Sequence, residues 1–79
     1  MYNISNRIIE NILREIESKL SENEGEYKIS ISDLVIRYNI SISTSYTILR
    51  LIRKIYENNS KYDVNFIKSE LIIKIKDGV

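Results

Sequence analysis

Along residues 6–22, apolar side chains recur at Ile8, Ile9, Ile12, Leu13, Ile16 and Leu20, the spacing of one side of an α-helix. The pattern predicts a first helix over 6–22, with Ser5 as its N-cap and the Asn23-Glu24-Gly25 run as its stop. At 100° per residue, Ile4 through Leu20 cover an arc of about 180°, broader than the ~100° that one core contact uses. Two accounts fit that width. Either a small domain wraps the helix deeply, or one edge, Ile4, Ile8 and Ile12, packs against a second copy of the chain; the latter is taken as the expected dimer interface. Tyr27 and Ile29 point the same way at period two, so 27–29 predicts a short strand.

A second helix follows over 32–38, with Ser32 capping its first turn and Leu34, Val35 and Tyr38 on its buried side. Asn39, a residue that tolerates the left-handed conformation, ends it. Ile40 is expected to plug the turn and Ser41 to cap a third helix over 42–58. In that helix Thr44, Ser45, Ile48, Leu49, Leu51, Ile52, Ile55 and Tyr56 fall within one arc of about 160° by helical projection. The opposite arc carries Ser43, Tyr46, Thr47, Arg50, Arg53 and Lys54, with Ile42 at its boundary and Glu57 as its one acid. Two short helices joined by a tight turn, the second with a polar, basic face, have the layout of a helix-turn-helix.

Beyond Asn58-Asn59-Ser60 the period changes. Residues 62–67 and 71–76 are rich in β-branched and aromatic side chains, and Ile73 and Ile75 share one face while Ile72, Lys74 and Lys76 share the other. A hairpin over 62–76 is predicted, with Lys68-Ser69-Glu70 as its turn. No internal repeat or second domain is visible.

Composition narrows the function. Seventy-nine residues make one domain without staples, since there is no cysteine for a disulfide or a zinc-thiolate site. There is no histidine, the commonest general base and metal ligand, and no paired-carboxylate or glycine-rich phosphate motif. Neither an enzyme, nor a cofactor, nor a small-molecule substrate is expected. The chain lacks alanine, glutamine and proline and is rich in isoleucine, asparagine, lysine and tyrosine, all encoded by A/T-rich codons, which implies a low-GC genome. No apolar run approaches the ~18 residues of a membrane span and no signal-peptide segment opens the chain, so a cytoplasmic protein without a membrane partner is expected. The net charge is only +1, but it is unevenly spread. Residues 1–26 carry three basic and six acidic side chains, net −3, and residues 27–79 nine basic and five acidic, net +4. A basic half facing DNA and an acidic half facing away suit modest, oriented binding.

The order helix, strand, helix, turn, helix, hairpin resembles the winged-helix family of DNA-binding domains. The residues that carry the resemblance run from Ile31 to Ile52. Ser32 and Leu34 open the second helix, Tyr38-Asn39-Ile40-Ser41 form the turn, and Ser43-Thr44 with Leu49 and Ile52 follow. The resemblance implies an α+β, mainly α fold, a winged helix-turn-helix of three helices, a short strand and a C-terminal β-hairpin. It further implies that Ser43, Tyr46, Thr47 and Arg50 face base edges and nearby phosphates, with Arg53 and Lys54 toward the backbone at the groove's edge. Lys68, near the hairpin tip, is implied as the wing's contact, with Lys74 or Lys76 assisting. Two features depart from the family pattern: Ser45 stands where an aliphatic residue is usual, and the hairpin is short, with Glu70 beside Lys68 at its tip. The size and A/T bias resemble small regulators from archaea, their viruses or plasmids.

The expected function is a sequence-specific transcriptional regulator that binds double-stranded DNA without a cofactor, as a homodimer on paired half-sites. The alternative is a winged helix used as a protein-interaction module within a larger assembly.

Overall fold

A computed structural model describes residues 4–22 and 25–76, except for the side chains of Ile4 and Ser5. Its elements are α1 (Ile4–Glu22), β1 (Glu26–Ser30), α2 (Ile31–Tyr38), α3 (Ile42–Glu57), β2 (Tyr62–Ile67) and β3 (Glu70–Ile75). The described residues thus form a small, mainly helical α+β domain with three helices and one three-stranded antiparallel sheet. No helix among the described residues is long and apolar enough to cross a membrane.

The sheet order is β1-β3-β2, so the last strand of the chain is the central one. Glu26 lies opposite Lys74 and Ser30 opposite Glu70 on one side of β3; Tyr62 lies opposite Ile75 and Ile67 opposite Glu70 on the other. This register collects Tyr27, Ile29, Leu71 and Ile73 on the inner face, where all four are buried, with Tyr62, Val64 and Phe66 half-buried beside them. Lys28, Asp63, Asn65 and Lys74 occupy the outer face and are exposed.

The hairpin turn is shorter than the sequence pattern suggests. Glu70 already pairs in β3, and Lys68 and Ser69 alone make the turn, with φ 51° and 66°. Two consecutive left-handed residues suit the right-handed twist of the flanking strands, although neither is the glycine or asparagine that usually supplies them. A tertiary bond helps hold them, because the Ile31 N–H donates to the Ser69 carbonyl at 2.9 Å. The hairpin tip is therefore clamped to the start of α2.

Helix boundaries differ from expectation for local reasons. α1 already includes Ser5, so Ser5 is not its cap; Asn23 and Glu24 of the expected stop lie outside the described residues. Gly25 adopts φ 80°, and a Cβ there would stand 3.3 Å from that of Ile75. α2 is capped by Ser30 and not by Ser32. The Ser30 hydroxyl accepts the Asp33 N–H at 3.1 Å and the Asp33 carboxylate accepts the Ser30 N–H at 2.9 Å, a reciprocal capping box. Ser32 has Val35 three residues on and has no such partner.

Two residues of the expected dimer edge, Ile8 and Ile12, are corrected. Ile8 and Ile12 are 4% and 0% exposed and form one buried row with Ile16 and Leu20, inside the chain's own core. The side chain of Ile4 lies outside the described residues. The margin of the stripe falls instead at Ile9 and Leu13, half-buried against that core. α1 thus takes the deeply wrapped arrangement. In α3 the reverse holds. Ser45, Ile48, Leu49, Ile52 and Tyr56 are buried, whereas Leu51 and Ile55, expected on the buried side, are 46% and 49% exposed. The buried arc of α3 narrows to the ~100° of an ordinary core contact.

Ile12→Ala is expected to lower the unfolding free energy by about 2–5 kcal/mol. Urea titrations at two protein concentrations differing about tenfold check it: equal losses at both fit burial within one chain, and a loss confined to the higher concentration does not.

Candidate nucleic-acid interface

The turn from α2 to α3 orients the face of interest. Asn39 sits in the left-handed region, φ 53° and ψ 47°, and its N–H donates to the Val35 carbonyl at 3.0 Å, closing α2. Ile40 packs half-buried against the core. The Ser41 hydroxyl accepts the Thr44 N–H at 3.0 Å and donates to the Thr44 hydroxyl at 2.9 Å, opening α3. Ser45 is fully buried, and its hydroxyl donates to the Ser41 carbonyl at 2.8 Å. A serine is accommodated at this core position because its own helix satisfies the hydroxyl.

α2 is fastened to α1 by one carboxylate. Arg37 donates to both oxygens of Glu15, at 3.1 and 2.7 Å, and the Tyr27 hydroxyl on β1 donates to the same group. Hydrogen bonding from Arg37, aided by Tyr27 and opposed by burial, holds the Glu15 carboxyl below the usual range. Burial and the Glu15 carboxylate push the Tyr27 phenol well above its usual range. α3 is tied to α1 in the same manner. The Tyr56 hydroxyl donates to Glu17 at 2.8 Å, and burial together with that carboxylate raises the Tyr56 phenol.

With α3 so held, Ser43, Tyr46, Thr47, Arg50 and Lys54 are brought together on its solvent face. The Thr47 hydroxyl donates to the Ser43 carbonyl at 3.1 Å. Tyr46 is 47% exposed, and its ring meets Phe66 of β2 with centroids 5.6 Å apart. The Arg50 guanidinium lies over the Tyr46 ring, 5.9 Å from its centroid. Arg53 departs from this group: it is half-buried and its Nε–H donates to Glu57 at 2.8 Å. Arg50 and Lys54 form no ion pair among the described residues.

Since Phe66 touches Tyr46, the hairpin end that carries exposed Lys68 lies beside the N-terminal half of α3. Lys74 and Lys76 do not join it. Lys74 stands on the outer face in a row with Asp63 and Glu26, and Lys76 lies past the far end of β3, about 20 Å from the turn at strand rise.

Phe66 is the residue that the sequence pattern did not single out. Alternation places it on the inner face with Tyr62 and Val64, but nothing local signals its contact with α3. A second feature is the apolar corner where α2, α3 and the hairpin turn meet. Ile36 and Ile42 are 80% and 68% exposed there and line a groove of about 330 Å³ with Ile31, Val35 and Ser69. No group of three or more potential metal-ligating side chains occurs among the described residues. Comparison of the chain with protein-family models, curated proteins and solved structures found no match.

A carboxyl held below its ordinary value stabilises the fold above that value, about pH 4.3 for glutamate, and the contribution is lost as the pH falls through the lowered one. Glu15→Gln is expected to cost about 0.5–1 kcal/mol at neutral pH, because the pair is partly solvated. It should also flatten the acid side of the stability profile. Urea unfolding at pH 7 and near pH 3 measures both effects; an equal cost at the two values would contradict the assignment.

Proposed function

We propose that the chain is a winged helix-turn-helix protein that binds duplex DNA as a sequence-specific, cytoplasmic transcriptional regulator, with α3 in the major groove. The element order, the central β3 and the three-residue turn between α2 and α3 support the fold part of this reading. One observation carries the functional part. The solvent face of α3 presents Ser43, Thr47, Arg50 and Lys54 with no acid in its first turn, while Arg37 and Arg53 are occupied by Glu15 and Glu57.

Small hydroxyl residues near the N-terminus of α3 let its backbone approach the groove floor, and the helix dipole there favours phosphate. Arg50, one turn further on, suits base edges, while Lys54 suits the backbone at the groove's rim. Lys68, at the same end of the domain, is the hairpin's candidate for a phosphate. One domain of this size covers little DNA, so the reading includes two copies on paired half-sites. The Ile8–Ile12 row, being interior, does not join them.

The test is fluorescence anisotropy against mixed-sequence duplex at about 50 and 200 mM salt. If three phosphates are neutralised per chain, affinity should fall about 40-fold over that interval. Arg50→Glu is expected to weaken binding by at least about tenfold, and Lys54→Gln to reduce the salt slope by about one. Absence of salt-sensitive binding by the folded chain at the lower salt would overturn the reading.

A second reading, a protein-interaction module, is favoured by the exposure of Ile36 and Ile42 at one corner. Under it, Ile36→Ser abolishes partner capture and Arg50→Glu has no effect; under DNA binding the sensitivities are reversed.

A further inference from the structure

Three arginines lie on α2 and α3, and the structure treats them differently. Arg37 has its fork filled by Glu15, and Arg53 donates its Nε–H to Glu57. Arg50 alone meets no carboxylate among the described residues, yet it is not without a partner, since its guanidinium lies over the Tyr46 ring. That contact differs in kind from an ion pair. A cation over an aromatic face is held by the ring's quadrupole and spends none of its N–H donors, so all five stay available to a ligand.

Tyr46 is itself braced. Its ring meets Phe66, whose neighbour across the sheet, Leu71, is fully buried. The chain of contacts runs from the core through Phe66 and Tyr46 to Arg50, one helical turn further along the same face. An aromatic left half in solvent gains little by burial there, but a cation held over its face narrows the directions open to a long, flexible side chain. Fixed direction matters for one class of target. A phosphate accepts a cation from many directions, and Lys54 on the next turn would serve it as well. A guanine edge, with O6 and N7 side by side, demands an oriented planar fork.

We propose that Tyr46, braced by Phe66, is the positioning residue that presents Arg50 to a guanine edge, so that Arg50 reads sequence and does not merely anchor the backbone. This rests on the DNA-binding reading of α3.

The experiment uses the full chain. The wild type selects duplexes from a random pool, and the selected and scrambled duplexes are then titrated with wild type, Tyr46→Phe, Tyr46→Leu, Phe66→Leu and Arg50→Ala. A further series replaces each guanine of the selected duplex singly with 7-deazaguanine, which lacks N7. Thermal melts confirm that each variant is folded.

Tyr46→Leu and Phe66→Leu are expected to lose about tenfold on the selected duplex, the scale of one bidentate base contact, and less than about twofold on the scrambled one. Tyr46→Phe, which keeps the ring, should keep the wild-type ratio between the two duplexes. One deazaguanine position should weaken the wild type and leave Arg50→Ala and Tyr46→Leu unaffected. Equal weakening of both duplexes by Tyr46→Leu would make the target phosphate and overturn the inference. So would undiminished selectivity in Tyr46→Leu, since Arg50 would then act without its brace. In either case the DNA-binding reading survives, whereas failure of the wild type to bind any duplex removes that reading and the inference together.

Discussion

The antiparallel pairing of β1 with β3 is the constraint on which the other contacts depend. It joins residues 26–30 to residues 70–74, and α2, α3 and β2 all lie within the loop it closes. Closing a loop of about 40 residues carries an entropic cost that local structure alone does not offset. The inner rows supply the compensation, as Tyr27 meets Ile73 and Ile29 meets Leu71, all buried. A slip of one residue in β1 would turn Lys28 toward the core and Tyr27 and Ile29 to solvent, so the register is strongly specified. Its two ends are pinned as well. Ile75 donates to the Gly25 carbonyl at 2.8 Å, and Ile31 donates to that of Ser69 at 2.9 Å.

Around that closure the polar contacts orient and the isoleucines stabilise. Glu15 ties three elements together, yet the side chains of its pair with Arg37 are 31% and 41% exposed, and such pairs contribute about 1 kcal/mol at most. The core holds Ile8, Ile12, Ile16, Ile29, Ile31, Ile48, Ile52 and Ile73. Each buried aliphatic side chain contributes about 1.5–3 kcal/mol, and the stiff χ1 of a β-branched residue favours one packing arrangement. What the carboxylates add is direction: Glu15 ties Arg37 of α2 to α1 and Glu17 ties Tyr56 of α3 to it, which helps to hold the face of α3 in place.

Much of this was legible because it is periodic. Three helices, a short strand and a hairpin follow from spacings of 3.6 and 2, and the same projection places Ser43, Tyr46, Thr47, Arg50 and Lys54 on one face of α3. The misreadings are of features that one element cannot decide. α1 and α3 carry apolar arcs of similar breadth, but α1 is wrapped deeply whereas Leu51 and Ile55 of α3 are left half in solvent, because neighbours determine how much of an arc is covered. The Ser30–Asp33 capping box is present in the sequence but competes with Ser32 for the same role, and its reach to a carboxylate three residues on settles the matter. The left-handed Lys68-Ser69 turn has no composition signal, being held in part by Ile31 from another element. Arg53 and Glu57 stand at i,i+4, a readable pair. The Phe66–Tyr46 contact depends on where β2 crosses α3, which no local pattern encodes.

The clamped hairpin bears on how a domain like this would discriminate among DNA sequences. A two-residue turn bonded back to α2 leaves no loop to project into a neighbouring groove, and Lys74 and Lys76 lie away from its tip. Two of the arginines on α2 and α3 are neutralised by glutamates, and the chain as a whole carries a net charge of only +1. Electrostatic attraction, which is indifferent to sequence, is therefore weak. In a protein with many free cations, non-specific affinity is high and each base contact must compete with it. Here the face of α3 carries few cations without an ion pair, Arg50 and Lys54, so one well-oriented fork would account for a larger share of the total, and the ratio of specific to non-specific binding would depend on how firmly Arg50 is aimed. A low net charge is then compatible with a selective reader, provided that orientation comes from the fold. The Phe66–Tyr46 brace is the part of this fold able to supply it.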